Sequence, residues 1–187
     1  MAEKTWYMAC LDLEGADCLV VGGGSVGFEK AQGLLAAGAA VTVVAPEIDA
    51  AFDCLPARLE RREFEEADLD GRRLAIAATS VAAVNEAVFA AAQARNLFCN
   101  VADVPELGSF ILPAVHREGP ITIAVSTGGA SPALAQWLRA RIAELVGPEH
   151  ARVAAQLREL RPWAKQNLAT YEERRDYFQG LVKRALG

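Results

Sequence analysis

An apolar run that ends at three consecutive glycines constrains this chain more than any other feature. Residues 18–21 form the run, and a helix-like segment starts at Val26, just beyond the glycines. Gly22, Gly24 and Gly27 match the spacing G-x-G-x-x-G. In that pattern the first glycine permits a tight turn, the second leaves room for a pyrophosphate and the third lets the helix pack close to the strand. The alternative is a tight strand-to-helix turn that binds no ligand.

The sequence after the glycines supports a dinucleotide site. A second apolar strand is predicted at 40–45, after Gly38, which we expect to end the helix. Glu47 follows about 20 residues after the last motif glycine, where a carboxylate can accept hydrogen bonds from a ribose hydroxyl. A carboxylate there favours NAD over NADP, because it would repel the additional phosphate. Three arginines that follow weaken this preference: Arg58, Arg61 and Arg62.

Strands and helices alternate through the first half of the chain. We predict a lead-in strand at 5–13, an edge strand at 59–64, a strand at 73–79, a helix at 81–95 capped by Thr79 or Ser80, and a strand at 97–102. This alternation is typical of an α/β fold with a Rossmann-type, doubly wound parallel sheet. Ligands bind beyond the carboxyl ends of such strands. One rim of the sheet should therefore carry the glycine loop, Glu47, Thr79 and Asp103.

The second half of the chain has a different pattern. Two strands at 109–116 and 121–126 are separated by a turn and should pair as a β-hairpin. A helix at 132–146 follows, with Ser131 as its N-cap. The remaining residues, 149–187, are predicted to be helical with an interruption at Pro162. Because two strands cannot bury both faces alone, a second copy of the chain is the simplest partner.

Composition excludes several classes of protein. The net charge of −5 argues against a nucleic-acid-binding protein. No apolar run is long enough to span a bilayer, and residues 1–4 do not begin a signal peptide, so a cytoplasmic location is expected. The four cysteines are scattered, which favours reduced core thiols over disulfides or a zinc site. These are Cys10, Cys18, Cys54 and Cys99.

Two segments are candidate chemical sites beyond the glycine loop. Asp103 closes an apolar strand beside the expected nicotinamide position, where a carboxylate can accept a proton; a loop-capping aspartate is the alternative. The turn at 127–131 precedes a helix and can bind an anion, or it can be an ordinary capped helix start. His116 and His150 lack metal-ligand neighbours, so structural or surface roles are expected.

The chain resembles the precorrin-2 dehydrogenase family, which includes the N-terminal module of sirohaem synthase. The resemblance covers nearly the whole chain, and its most specific piece is the segment at 124–132. The other matching segments lie at 20–27 with Lys30, 38–46, 75–79, Asn85, 98–103, 109–110 and Pro113. One departure is Thr127, which stands where sirohaem synthase has a serine that can be phosphorylated; that control is not assumed here.

The resemblance implies an enzyme that oxidises precorrin-2 to sirohydrochlorin with NAD and, in some members, inserts Fe²⁺ or Co²⁺. It also implies a homodimer. The family aspartate maps onto Asp103, which is implicated in both activities and is therefore the predicted catalytic residue and metal contact. Together with the motif, the resemblance predicts these cofactor-binding residues: Gly22, Gly23, Gly24, Ser25, Val26, Gly27, Pro46, Glu47 and Thr79. No methyltransferase domain is expected within these 187 residues.

The implied substrate carries eight carboxylates, which favours helix N-termini and basic side chains around an apolar floor. The predicted substrate-binding residues are Ser126, Thr127, Gly128, Gly129 and Ser131, with basic groups at Arg139, Arg141, Arg152 and Lys165. We expect an NAD-binding Rossmann domain at 1–113, a dimerisation segment at 114–147 and a helical region at 148–187. The alternative function is a non-catalytic module that senses NAD or carries a tetrapyrrole.

Overall fold

A computed structural model describes residues 5–187. Up to Ile111 the chain forms one compact unit around a five-stranded parallel sheet with the strand order β3-β2-β1-β4-β5. The strands are β1 (Asp17–Val21), β2 (Ala40–Val44), β3 (Arg58–Glu60), β4 (Leu74–Ala77) and β5 (Phe98–Val101). The predicted doubly wound parallel sheet is therefore confirmed, with β3 at one edge as expected.

Helices cover both faces of this sheet. On β1, Cys18 and Val20 face one apolar cluster while Leu19 and Val21 face the other, because neighbouring side chains of a strand point in opposite directions. The helix α1 (Ser25–Leu35) packs on the first cluster and α2 (Ala82–Ala94) on the second. Burial on both faces explains the continuous apolar runs of the central strands.

Two predicted features of this first unit are wrong. Residues 5–13 pair with no strand of the described sheets. One outer edge of the parallel sheet, that of β5, is already occupied, because Ser109 N–H donates to the carbonyl of Cys99 (2.8 Å). The α2 N-cap position is Val81, without a side-chain cap; Thr79 instead accepts from the N–H of Val81 (3.1 Å), and Ser80 does not cap.

The second unit, Leu112–Gly187, contains an antiparallel hairpin and three helices. The hairpin pairs β6 (Ala114–Glu118) with β7 (Ile121–Val125). The predicted hairpin is confirmed, although its first strand begins at Ala114 rather than Ser109, since Ser109 and Phe110 bond to β5 instead. The helices are α3 (Pro132–Leu145), α4 (Pro148–Asn167) and α5 (Tyr171–Leu186).

The helix α4 runs through Pro162, so the predicted interruption at this residue is wrong. Proline removes one backbone N–H, which leaves the carbonyl of Arg158 without its helical donor. Both residues are exposed, so water can satisfy that carbonyl. The break falls instead between Asn167 and Thr170, where Thr170 and Glu173 form a capping box for α5.

The cysteines divide into two classes. Cys18 and Cys99 are buried, and burial raises the pKa of the Cys99 thiol to about 11. Cys10 and Cys54 are exposed, so the prediction of core positions is wrong for these two. Cys10 lies in the exposed segment before β1, and Cys54 ends a short 3-10 helix at the surface. All four thiols are free.

The first four residues, on which the expected lack of a signal peptide rests, lie outside the described residues. Among the helices of residues 5–187, none is long and apolar enough to cross a membrane. The division of the chain at 113 and 147 stays a prediction.

Candidate functional site

Gly22 and Gly27 are required by close backbone packing at the start of α1. Gly22 has a φ of 134° and donates its N–H to the carbonyl of Val44 (3.0 Å). A Cβ atom on Gly22 would overlap the carbonyl of Ala78, and one on Gly27 would overlap the carbonyl of Gly22. Only glycine fits either position, as the motif predicts.

Gly23, which is not a motif position, is equally constrained. A Cβ atom there would overlap the carbonyl of Glu47 and lie 2.7 Å from the Cα of Ile48. The carbonyl of Gly23 also accepts from the N–H of Asp49 (2.9 Å). This contact joins the glycine loop to the segment after β2. The triple-glycine run was the one sequence signal for it.

Gly24 differs from its neighbours because the space beside it is open. A Cβ atom on Gly24 would meet nothing within 4 Å, and Gly24, Ser25 and Val26 are all exposed. Gly24 is the N-cap of α1, with no side-chain cap and no acidic residue in the first turn. The first N–H groups of α1 are thus available to an anion at the positive end of the helix dipole. This cradle fits a dinucleotide pyrophosphate.

The segment after β2 presents an acid rather than a free cation. Pro46 and Glu47 are exposed beside the glycine loop. Arg61 donates to the carbonyl of Ile48 (2.8 Å). The neighbouring arginines also form ion pairs, which are Arg61 with Asp53 (3.8 Å), Arg58 with Glu60 (2.6 Å) and Arg62 with Asp68 (2.5 Å). All three arginines therefore have partners within this unit.

Asp68 and Arg62 form the tightest of these pairs. Two guanidinium nitrogens of Arg62 reach the two carboxylate oxygens of Asp68, at 2.8 and 2.5 Å. The hydrogen bond from Arg62 holds the pKa of the Asp68 carboxyl below its ordinary value. The N–H of Glu65 also donates to Asp68 (2.9 Å), which favours the ionised carboxylate further.

Thr79 lies at the carboxyl end of β4 and contacts the glycine turn. Its backbone nitrogen would be 3.2 Å from a Cβ atom on Gly22. The side chain of Asn85 holds Thr79 through its backbone and its hydroxyl. The structure thus brings together the glycine loop, Glu47 and Thr79. Asn85 was part of the sequence resemblance, but no sequence signal identified its contact with Thr79.

Asp103 occupies the corresponding position on the next strand. Ala77 of β4 pairs with Val101 of β5, so Thr79 and Asp103 each lie two residues beyond this pair. Asp103 is exposed and has a φ of 60°, a left-handed conformation that aspartate adopts more readily than most residues. No hydrogen bond of its side chain is found within residues 5–187, so the predicted loop-capping alternative has no support from its side chain.

The loop that carries Asp103 is anchored to the sheet at both ends. Ala102 donates to the carbonyl of Ala77 (2.9 Å) before the aspartate. After it, Asn100 donates to the carbonyl of Phe110 (3.0 Å), and the hydroxyl of Ser109 accepts from the N–H of Cys99 (2.8 Å). The loop is therefore anchored to β4 at its start and to β5 at its end.

In the second unit, the segment from Ser126 to Ser131 forms a compact hydroxyl-bonded turn. Thr127 accepts from the N–H of Ser131 (3.0 Å), and Ser126 accepts from the N–H of Gly128 (3.1 Å). Gly128 and Gly129 have positive φ values, of 67° and 94°. The side chain of Ser131 accepts from the N–H of Leu134 (3.2 Å) and caps α3, as predicted.

Both histidines contact the backbone at the junction between α3 and α4. His116 lies 2.9 Å from the carbonyl of Val146, and His150 accepts from the N–H of Gly147 (3.3 Å). Within the described residues, no group of three or more histidine, cysteine, aspartate or glutamate side chains is placed to hold a metal ion. The contacts of both histidines that the structure shows are with backbone groups, and their structural role stays a prediction.

A comparison of the sequence with protein-family models identifies the family of this chain. A family model described as "Putative NAD(P)-binding" matches residues 9–114, more than half of the chain. The chain belongs to this family. The predicted nicotinamide dinucleotide cofactor is confirmed by this membership. A second family model, described as "Sirohaem biosynthesis protein central", matches residues 118–145, which lie in the second unit of the chain.

Several curated relatives of this chain are named sirohaem synthase. One from Methylobacillus flagellatus is 44% identical over 180 residues, and one from Escherichia coli O139:H28 is 43% identical over 173 residues. These matches cover 92% and 90% of this chain. The chain spans 38% of the length of either relative.

One solved protein structure is similar to this chain over almost the whole length of both. The protein named "SirC, precorrin-2 dehydrogenase" superposes with a TM-score of 0.79 at 26% identity, covering 97% of this chain and 93% of that one. The resemblance predicted from the sequence motifs is therefore confirmed, and so is the predicted order of Rossmann sheet, hairpin and helices.

Proposed function

We propose that this protein is an NAD-dependent dehydrogenase that oxidises precorrin-2 to sirohydrochlorin. The observation that carries the proposal is the similarity to a precorrin-2 dehydrogenase over nearly all of both chains. The relatives named sirohaem synthase support the same pathway. The open cradle at Gly24 supports a cofactor site in this chain itself.

The cofactor would be held by the glycine loop and by the segment after β2. The N–H groups of Ser25 and Val26 would bind the pyrophosphate, and Pro46 and Glu47 would contact the adenosine ribose. Glu47 favours NAD, since the arginines nearby are paired with other groups. When bound, NAD supplies the hydride acceptor.

Asp103 is proposed as the general base. Dehydrogenation removes a hydride from one atom of the substrate and a proton from another, and the carboxylate of Asp103 receives the proton. Its exposure at the carboxyl end of β5 leaves it open to a large substrate. The loop is anchored after Asp103 by Ser109 and Phe110, and within residues 5–187 no hydrogen bond engages the Asp103 carboxylate.

The second unit supplies groups suited to a polycarboxylate. In the proposal, the turn made by Ser126, Thr127, Gly128, Gly129 and Ser131 contacts the substrate. Arg139, on α3 after this turn, has a buried Nε atom that lacks a hydrogen-bond partner within the described part of the chain. A buried unpaired donor costs free energy unless an acceptor reaches it.

A homodimer formed through residues 114–147 is part of the proposal. In the hairpin no residue of β6 or β7 is buried, and α3 exposes large apolar side chains. These are Leu134, Trp137 and Leu145. The 1–113 and 148–187 regions would then be the cofactor-binding domain and a helical region. Sedimentation equilibrium should give twice the mass of one chain, and the mass of one chain would contradict the dimer.

Insertion of Fe²⁺ or Co²⁺ into sirohydrochlorin is the second proposed activity. Asp103 would accept pyrrole protons and contact the ion, which is a substrate here rather than a resident cofactor. After anaerobic conversion, added Fe²⁺ should change the macrocycle absorbance faster with protein than without it. Equal rates would restrict the protein to dehydrogenation.

The principal experiment compares wild type with Asp103→Asn under anaerobic conditions with precorrin-2 and NAD. Wild type should form sirohydrochlorin, and the variant should lose about 10²–10⁴-fold in kcat while its Kd for NAD is unchanged. NAD binding without turnover in wild type would favour the alternative, a non-catalytic sensor or tetrapyrrole carrier.

The four free thiols support a reducing compartment such as the cytoplasm as the location of the protein.

A further inference from the structure

Asn85 is buried in the first unit, and its side chain is engaged with a single residue. It is 7% exposed and lies in the first turn of α2. Within residues 5–187, its side-chain hydrogen bonds all go to Thr79. The carbonyl oxygen of Asn85 accepts from the N–H (3.2 Å) and the hydroxyl (2.9 Å) of Thr79, and its amide donates to the carbonyl of Thr79 (2.9 Å).

The peptide that Asn85 holds forms one wall of the glycine turn. The peptide group between Ala78 and Thr79 would be overlapped by any Cβ atom on Gly22. Ala78 in turn donates to the carbonyl of Val21 (2.8 Å), the residue that precedes this turn. The position of the Thr79 backbone therefore determines how tightly the chain can turn at Gly22.

We propose that Asn85 is a positioning residue for the cofactor, acting through Thr79 on the glycine turn. The inference rests on the proposed function, because it assumes that the cradle binds NAD. An amide side chain that accepts two hydrogen bonds and donates one fixes the N–H, the hydroxyl and the carbonyl of Thr79 together, which an apolar residue cannot do. Preorganised backbone at a ligand site lowers the cost of ordering the site when the ligand binds.

The test is the affinity for NAD, measured by calorimetry without any second substrate. In Asn85→Ala all three bonds are lost, and we expect Kd to rise about tenfold, a change of about 1.4 kcal/mol. Asn85→Asp has nearly the same shape, but its second carboxylate oxygen faces the carbonyl of Thr79, so Kd should also rise. In steady-state assays KM for NAD should increase more than kcat falls.

Thr42→Val is the matched control. Thr42 lies on β2, is also 7% exposed and accepts a hydrogen bond from Arg72 (3.0 Å), so removing its hydroxyl should lower Tm while leaving Kd for NAD unchanged. A folded Asn85→Ala or Asn85→Asp protein with wild-type Kd would overturn the inference. If Asn85→Ala does not fold, the isosteric aspartate variant decides. Wild type that binds NAD without oxidising precorrin-2 would instead overturn the proposed function and leave this result standing.

Discussion

At the scale of single residues, the glycines of the loop serve two different purposes. Gly22 and Gly27 are needed by the fold, since a side chain would overlap neighbouring carbonyl groups. Gly24 has open space beside it and an ordinary negative φ of −92°, so the protein alone does not require glycine there. Its lack of a side chain is of use to a ligand that approaches the backbone.

Gly22→Ala should therefore lower the stability of the protein, whereas Gly24→Ala should lower its affinity for NAD. The first forces a residue with a Cβ into a φ of 134° and should cost about 1–3 kcal/mol from backbone strain alone, with the overlap at Ala78 in addition. The second should leave the free energy of unfolding nearly unchanged and weaken NAD binding. Thermal unfolding and calorimetric titration measure the two quantities. A stable Gly22→Ala protein would contradict the described turn.

The Asp68–Arg62 pair makes stability depend on acid pH. Because the pKa of Asp68 is lower in the folded protein than in the unfolded chain, its contribution is complete above the unfolded pKa. It is lost as the pH falls through the folded pKa. Relative to wild type, Asp68→Asn should thus be less stable at pH 7, and the difference should shrink below about pH 4. Urea unfolding at both pH values tests this, and a constant difference would contradict it.

At the scale of elements, strands buried on both faces were predictable from the sequence. A strand that forms only if a sheet edge is available for pairing was not. The strands β1, β2, β4 and β5 are mostly apolar and are interrupted only by Asp17, Thr42 and Asn100, a pattern typical of strands buried on both faces. Residues 5–13 carry a similar pattern but pair with no described strand. A strand also needs an unoccupied sheet edge, and nothing local in a sequence reports which edges are occupied.

The same limit applied to the candidate site. The motif glycines, Glu47 and Asp103 follow strands directly, so their common rim followed from the alternation of elements. Asn85 lies within a helix rich in alanine, where a polar residue usually indicates a solvated face. Its burial against Thr79 depends on how α2 sits on the sheet, which is a tertiary property.

Pro162 offers a prediction for the helix α4. A proline within a helix costs about 3 kcal/mol relative to alanine, while proline at the first helical position is tolerated. Pro162→Ala should therefore stabilise the second unit by about 2 kcal/mol after allowance for the more flexible unfolded chain. Pro148→Ala, at the first position of the same helix, is the control and should give no gain. Equal effects of the two changes would contradict a continuous α4.

At the scale of the whole molecule, the protein combines two compact units with different duties. The unit up to Ile111 carries the dinucleotide cradle and Asp103. The unit from Leu112 onward carries the capped turn at Ser131, basic side chains and unburied apolar surface. In the proposed function, the first unit supplies the cofactor cradle and the base, and the second supplies groups suited to substrate carboxylates.

The most direct measurement of the proposed dehydrogenation is the stoichiometry of a single turnover. Protein in excess over precorrin-2 is mixed anaerobically with NAD, and NADH and sirohydrochlorin are followed together by absorbance. We predict that the two products appear at the same rate and in equal amounts, and that both appear about 10²–10⁴-fold more slowly with Asp103→Asn. NADH without sirohydrochlorin, sirohydrochlorin without NADH, or equal rates in wild type and the variant would contradict the proposal.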